Sequence, residues 1–189
     1  LIQLKASEAK VLELNRHITE NLLKRYLPSD LIDDVLSGDL VIDKEPDTQL
    51  ITVLFSDLHG FTSLTNKLRA KKMAKILNEY LDRMIGIIGE HGGTIDKFIG
   101  DAIMVIFGAP TELSSQEQAE QAAACSLAMQ QCMATLNQRW AEAGDATLKM
   151  RIGLHQGPVV VGSFGSEIRS DYTAIGPTVN LASRIEAVC

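Results

Sequence analysis

Two aspartates follow apolar, strand-like segments of this chain, and together they could hold a metal ion. Asp57 comes directly after "LITVLFS", and Asp101 lies in the turn of "KFIGDAIMV". An aspartate in a turn is most often a cap, because its carboxylate accepts hydrogen bonds from nearby backbone N–H groups. Two carboxylates held side by side repel one another unless a cation lies between them. Mg²⁺ takes one or two carboxylates and completes its octahedron with water and phosphate oxygens. The pair therefore predicts a divalent-cation site, with two separate turn caps as the alternative.

The segment after Asp57, "LHGFT", has the features of a phosphate-binding turn. Gly60 lets the backbone come close to a ligand, and the chain then enters a predicted helix. Successive backbone N–H groups at a strand-to-helix turn attract phosphate. The segment is not a Walker A sequence, so it indicates a phosphate site without naming the nucleotide.

Alternating strand and helix patterns position these residues. The predicted strands are 50–56, a pair around a turn at Gly100-Asp101 within 92–108, a pair separated by Gly157-Pro158 within 148–165, and 170–176. The predicted helices are 63–90, 114–144 with Ser115 as N-cap, and 177–188 with a proline in its first turn. This order predicts an α+β fold with a ferredoxin-like βαββαβ core and an extra C-terminal strand and helix. We expect a mostly antiparallel sheet with helices packed on one face.

Residues 1–49 are predicted to be an N-terminal helical segment that links domains or pairs subunits. An apolar stripe runs through residues 1–25, Pro28 interrupts it, and a short helix follows as far as Gly38. Residues 39–49 are acidic and contain Pro46, which is typical of a linker. The compact domain is therefore predicted to cover residues 50–189. Because the sequence begins without methionine, we expect it to be a piece of a longer protein.

Composition limits the class of protein. The 189 residues carry a net charge of −6, which argues against wholesale nucleic-acid binding. No apolar run reaches the length of a membrane span, so we expect no membrane contact within this chain, although the longer protein could be tethered. Three cysteines without a CxxC pair predict neither a disulfide framework nor a zinc site. Reduced thiols favour a cytoplasmic location.

Three segments, in order, resemble the catalytic domain of class III nucleotide cyclases, in the adenylyl cyclase branch. They are "TVLFSDLHGFTSLT", "DKFIGDAIMVIFG" and "DYTAIGPTVNLASRIE", and the resemblance covers roughly residues 50–189. It implies that ATP is converted to 3′,5′-cyclic AMP and pyrophosphate by in-line attack of the ribose 3′-OH on the α-phosphorus. It also implies two divalent cations, Mg²⁺ or Mn²⁺, bound by Asp57 and Asp101 with Leu58 as a further ligand. The phosphates would lie on the backbone of Leu58, His59, Gly60, Phe61 and Thr62.

The resemblance assigns base recognition to Lys97 and Thr173. An ammonium can donate to adenine N1 and a hydroxyl can accept from adenine N6, whereas guanine would call for an acid near position 97. Without the motif, Lys97 would be a solvated strand lysine and Thr173 an ordinary strand residue. Threonine, where many adenylyl cyclases have aspartate, resembles the subclass often stimulated by bicarbonate. Bicarbonate stimulation is therefore a hypothesis.

The resemblance makes Asn180 and Arg184 the catalytic residues. They lie four apart on one predicted helix and hence on one face. The asparagine would orient the ribose and the arginine would stabilise charge on the phosphates, while the plainer alternative is an exposed arginine paired with a nearby acid. In the family the metal-binding and base-reading residues come from different subunits. A homodimer with two equivalent sites is therefore implied.

The sequence is also compatible with other functions. A guanylyl cyclase would share everything except the base-reading pair, and a non-catalytic cyclase-like regulatory module would have lost metal ligands that are present here. A ferredoxin-like RNA-binding module is disfavoured by the negative charge and by the lack of exposed aromatic residues expected at strand centres. The family usually continues past the last helix with a strand pair that supplies a phosphate-binding lysine, and this sequence stops at Cys189 before that point.

Overall fold

The structure, a computed structural model, describes residues 10–14, 16, 18, 46–61, 64, 69–166 and 169–189. The chain divides into two compact units, Leu1–Lys44 and Glu45–Cys189. In the first unit, residues 10–14, 16 and 18 are helical, and the side chains of Val11, Leu12 and Leu14 are exposed. The predicted break at Pro28, the short helix before Gly38 and most of the acidic linker lie outside the described residues.

Among its described residues, the second unit contains a five-stranded sheet, three helices with defined bounds, and helical residues at positions 61 and 64. The elements are β1 (Asp47–His59), α1 (Ala70–Glu90), β2 (Thr94–Ile99), β3 (Ala102–Phe107), α2 (Ser115–Glu142), β4 (Lys149–Ser166), β5 (Arg169–Ile175) and α3 (Pro177–Val188). The strand order is β2-β3-β1-β4-β5, and all neighbouring strands are antiparallel. The predicted α+β fold, a βαββαβ core followed by a strand and a helix, is confirmed. Among the described helices we find none with the length and apolar character needed to cross a bilayer.

The central strand β1 is covered on both faces. Leu54 and Leu58 belong to a core packed against α1 and α2, while Val53 and Phe55 belong to a second core that includes Ala182 of α3. The expectation that the helices pack on one face is therefore wrong for α3. The physical reason lies in β4, where a Cβ atom at Gly153 would come within 2.3 Å of backbone atoms of α3. The missing side chain leaves room for that helix.

β4 is one continuous strand, and the predicted break at Gly157-Pro158 is wrong. Gly157 pairs with Ile51 and Pro158 with Leu50 of the long strand β1. The ladder between β4 and β5 ends at Val160, so Pro158 has a strand partner on one side only. A proline is tolerated there because the lost N–H removes no hydrogen bond from a second neighbour.

Two helix starts also differ from prediction. The predicted helix 63–90 is interrupted at Arg69, which is extended with ψ of 138°; Leu64 is helical, and α1 begins at Ala70. The N-cap of α2 is Ser114 rather than Ser115. The Ser114 hydroxyl accepts from the Glu117 backbone N–H, and the Ser114 backbone N–H donates to the Glu117 carboxylate. This reciprocal capping box requires serine three positions before glutamate, and only Ser114 meets that spacing.

Candidate active site

The two predicted metal-binding aspartates lie next to each other. Ser56 of β1 pairs with Ile103 of β3, so the same register places Leu58 opposite Asp101 in the turn before β3. The backbone N–H of Leu58 donates to Oδ2 of Asp101 at 3.3 Å. Gly100, with φ of +69°, supplies the left-handed conformation that this two-residue turn needs. The hairpin therefore presents Asp101 beside the end of β1, where Asp57 is located.

The environment of Asp101 is unfavourable for a negative charge unless a cation is present. Partial burial is the main factor that raises the pKa of Asp101, and the charge of neighbouring Asp57 raises it further. In the described part of the chain no third histidine, cysteine, aspartate or glutamate joins them in a metal-binding group. Two carboxylates fit Mg²⁺ or Mn²⁺, which keep other positions for water and phosphate oxygens. Leu58 is a core residue, so only its backbone carbonyl could serve as a ligand.

Arg151 of β4 is a member of this site that the sequence reasoning missed. Its Nη2 donates to Oδ2 of Asp57 at 2.8 Å, and its Nε lies 2.9 Å from Oε1 of Glu186. Its Nη1 donates to the carbonyl of Ala187 at 3.3 Å, near the end of α3. The signal in the sequence was a single arginine within the strand-like segment "KMRIGL". Its pairing with Asp57 spans 94 residues, a separation that local patterns do not report.

Carboxylates outnumber cations around Arg151. Burial raises the pKa of Glu186 while Arg151 opposes that effect, and the charges of Asp57 and Asp101 raise it again. Three acidic groups thus influence one another, and a single guanidinium pairs with two of them, Asp57 and Glu186. This imbalance gives the site an affinity for added positive charge, which is what a divalent cation would supply.

The predicted phosphate-binding turn combines buried and exposed residues. Leu58 and Phe61 are buried in the core with α1 and α2, whereas His59 and Gly60 are exposed. Gly60 has φ of +82°, and its carbonyl accepts from the N–H of Leu64, which closes a helical turn. The chain therefore reverses sharply beside Asp57 while its backbone stays open to a ligand. Thr62 lies outside the described residues.

The predicted base-reading residues, Lys97 and Thr173, meet at a shared carboxylate. Thr173 donates its hydroxyl proton to Oδ2 of Asp96 at 2.5 Å, and Lys97 Nζ lies 3.2 Å from Oδ1 of the same residue. β2 and β5 are at opposite ends of the strand order, yet their residues are in contact. Sequence reasoning did not single out Asp96, although it stands directly before Lys97 in "DKFIGD".

Asn180 and Arg184 lie on the solvent-exposed side of α3. The helix buries Thr178, Ala182 and Glu186, and leaves Asn180 and Arg184 exposed. Within the part of the chain that the structure describes, neither of these two side chains makes a hydrogen bond or an ion pair. The contacts of the described residues also do not join Asp57 and Asp101 to Lys97 and Thr173. One chain therefore contains two separate groups of predicted site residues.

Comparison with known proteins gives a consistent result. The family model described as "Adenylate and Guanylate cyclase catalytic domain" matches residues 44–189. Adenylate cyclase 1 of Rhizobium meliloti is 31% identical over 163 residues, which cover 86% of this chain and 24% of that protein. This chain therefore spans about a quarter of the length of that curated relative.

Solved structures include relatives of both nucleotide specificities. The crystal structure of the adenylyl cyclase CyaB from P. aeruginosa matches with a TM-score of 0.75 and 42% identity, over 77% of this chain and 74% of that one. The crystal structure of the guanylyl cyclase Cya2 matches with a TM-score of 0.71 and 45% identity, over 76% of this chain and 72% of that one. Overall similarity thus does not distinguish ATP from GTP as the substrate. The distinction depends on the residues that would contact the purine base.

Proposed function

Because the chain belongs to the adenylate and guanylate cyclase catalytic domain family, we propose that it is an adenylyl cyclase that converts ATP to 3′,5′-cyclic AMP and pyrophosphate. The observation that carries this choice is the placement of Lys97 and Thr173 on the single carboxylate of Asp96. The ammonium can donate to adenine N1, and the hydroxyl oxygen can accept from the adenine amino group. Guanine presents the opposite pattern at both positions, so GTP is the poorer fit.

Asp57 and Asp101 are the proposed ligands of two divalent cations, Mg²⁺ or Mn²⁺, together with the backbone carbonyl of Leu58. Such cations, when bound, favour deprotonation of the ribose 3′-OH and neutralise charge on the triphosphate. The turn at Gly60 would receive phosphate oxygens on its backbone N–H groups. Arg151 holds the Asp57 carboxylate in place before nucleotide enters.

The remaining roles belong to α3. Asn180 would orient the ribose, and Arg184 would stabilise the charge that develops on the α-phosphate as the bond to pyrophosphate breaks. Arginine suits this task because its planar guanidinium can donate to two phosphate oxygens at once. Both side chains are exposed on the helix, so a nucleotide can reach them.

We further propose that two copies of the chain complete each site. This arrangement is supported by the two separate residue groups in one chain, since a nucleotide must touch both groups at once. A two-fold dimer would bring the Asp57 group of one copy to the Lys97 group of the other and would form two equivalent sites. The first unit, Leu1–Lys44, is the proposed pairing segment, and exposed Val11, Leu12 and Leu14 would supply apolar contacts there.

The first test measures cyclase activity after substitution of the proposed metal ligands. Asp57→Asn or Asp101→Asn should reduce formation of cyclic AMP from ATP by a factor of about 10³ or more, because each removes a charged ligand of the cations that would neutralise the reacting phosphates. Asp82→Asn, an exposed change on α1, is the matched control and should retain activity. Activity that survives in both ligand variants would contradict the proposed metal site.

Guanylyl cyclase activity is the second candidate, because Cya2 is 45% identical to this chain. Product formation from ATP and from GTP, measured with Mg²⁺ and with Mn²⁺, separates the two candidates. We expect cyclic AMP to be the main product. Predominant cyclic GMP would assign the chain to the other specificity.

Regulation by bicarbonate is a further part of the proposal, and it rests on threonine at position 173. We expect bicarbonate to raise the rate of cyclic AMP formation when pH and ionic strength are held constant with matched chloride. An unchanged rate would show that bicarbonate does not regulate this chain.

We propose a reducing, cytoplasmic location for the reaction. The three cysteines are free in the structure, which is compatible with that location.

A further inference from the structure

Asp96 is a buried carboxylate at an irregular point of β2. The pairing of β2 with β3 shifts between Ile95 and Lys97, which leaves Asp96 as the extra residue of a β-bulge. A bulge redirects the side chain of the inserted residue. Here the Asp96 carboxylate reaches β5, and only 1% of its side chain is exposed.

The carboxylate makes two hydrogen bonds through one oxygen and an ion pair through the other. Oδ2 accepts from the Thr173 hydroxyl at 2.5 Å and from the Ala174 backbone N–H at 3.3 Å. Oδ1 lies 3.2 Å from Lys97 Nζ. Burial of a carboxylate is costly unless donors and a cation surround it. The two donors and the ammonium thus hold the Asp96 side chain in one position, and that position in turn constrains Thr173 and Lys97.

The contact with Asp96 decides which hydrogen-bond role Thr173 has left. A threonine hydroxyl has one proton and two lone pairs, so a free hydroxyl can donate or accept. An ionised carboxylate can only accept, so the Thr173 proton is committed to Asp96. The hydroxyl oxygen is then an acceptor towards any ligand. It matches the amino group of adenine and faces the O6 acceptor of guanine unfavourably.

The same carboxylate orients Lys97. The ammonium forms an ion pair with Asp96, and 42% of the lysine side chain is exposed, so its N–H groups are open to a ligand. They match the N1 acceptor of adenine and oppose the N1–H donor of guanine. Asp96 therefore imposes the adenine pattern on Thr173 and positions the Lys97 ammonium, which is a donor in any case.

We propose that Asp96 is the positioning residue that gives this chain its preference for adenine over guanine. It acts by fixing Thr173 as an acceptor and by orienting the Lys97 ammonium. This inference rests on the proposed function, and it adds a residue that determines which purine the site accepts.

The test compares ATP with GTP in variants at position 96. Asp96→Leu removes the acceptor, so the Thr173 hydroxyl becomes free to donate to guanine O6. The ratio of kcat/KM for ATP to kcat/KM for GTP should fall by about tenfold or more. Asp96→Asn keeps an acceptor for Thr173 but removes the charge that faces Lys97, so its ratio should fall less, by about threefold to tenfold. Asp171→Asn, an exposed change on β5, is the matched control and should leave the ratio unchanged.

A merely structural role of Asp96 gives a different result. It would lower kcat/KM for both nucleotides together and leave their ratio unchanged in Asp96→Asn, and that outcome would overturn the proposal. An unchanged ratio in folded Asp96→Leu would overturn it too. Because Asp96 acts through the hydroxyl, Asp96→Leu should change the ratio less in a Thr173→Val background. Additive effects in this double-mutant cycle would contradict the role assigned to Thr173.

Binding measurements separate failure of this inference from failure of the proposed function. Displacement of a fluorescent ATP analogue by ATP and by GTP, in the presence of Ca²⁺, reports base preference without turnover. Wild-type protein that favours ATP in this assay, with a preference that falls in Asp96→Leu, but that forms no cyclic AMP would support the role of Asp96 and refute the cyclase activity. Wild-type protein that binds ATP and GTP equally would refute the role of Asp96.

Discussion

At the scale of single residues, the candidate metal site combines affinity for cations with a cost when no cation is bound. Asp57 and Asp101 lie beside each other, and Arg151 is shared between Asp57 and Glu186. Without a bound cation, this arrangement leaves excess negative charge in a partly buried position. Functional sites commonly sacrifice stability in this way.

The cost should be visible as a dependence of stability on pH. Burial and the charge of Asp57 raise the pKa of Asp101 above that of the unfolded chain. When folding raises the pKa of a carboxyl group, the folded protein loses stability as the pH rises above the pKa that this group has in the unfolded chain. Asp101→Asn should therefore raise the Tm of the metal-free protein at pH 7 by roughly 2 °C, even though it abolishes activity.

This difference in Tm should shrink as pH falls towards about 4, because Asp101 then becomes protonated in the wild type. Thermal unfolding of both proteins in chelator, at several pH values, provides the measurement. A Tm of Asp101→Asn below that of wild type at pH 7 would show that the carboxylate is stabilising in the absence of metal. Burial and the charge of Asp57 would then not make the Asp101 carboxylate destabilising.

At the scale of secondary-structure elements, the docking of α3 on β4 positions the proposed catalytic residues. Gly153 faces this helix, and a Cβ atom there would come within 2.3 Å of the Ala182 carbonyl oxygen and the Glu186 N atom. These are backbone atoms, so a clash with them cannot be relieved by a side-chain rotation. The position of Asn180 and Arg184 therefore depends on the absence of a side chain at residue 153.

Gly153→Ala should consequently displace α3 and lower both stability and activity. We expect a loss of about 2 kcal/mol in the free energy of unfolding and a clear fall in kcat. Gly86→Ala on α1 is the matched control, because its added Cβ meets no atom within 4 Å and alanine favours a helix. Urea unfolding and cyclase assays of the two variants test this. Equal behaviour of both would mean that α3 does not depend on close approach to β4.

The elements also show which features a sequence can and cannot predict. The hairpin that presents Asp101 was predictable because two apolar segments flank a Gly-Asp turn, and that signal is local. The continuity of β4 through Pro158 was not, because it depends on how far β1 extends alongside it. Contacts of Arg151 with Asp57, and of Asp96 with Thr173, join residues 94 and 77 positions apart. Local periodicity contains no information about such pairs.

At the scale of the whole molecule, the central claim is that a complete active site needs two copies of the chain. Asp57 and Asp101 form one group of residues, and Lys97 and Thr173 form another around Asp96. Asn180 and Arg184 are exposed on α3. If each site takes its metal ligands from one copy and its base-reading and catalytic residues from the other, a defect in one group leaves the other group functional.

Complementation between two inactive variants tests this claim most directly. Asp57→Asn removes a metal ligand and Arg184→Ala removes the proposed charge-stabilising residue, and each variant alone should form almost no cyclic AMP. Mixed in equal amounts and allowed to exchange subunits, they should recover about a quarter of wild-type activity, because half of the dimers are mixed and each mixed dimer has one intact site. A mixture that stays as inactive as its components, while exchange of subunits is demonstrated, would contradict the shared site.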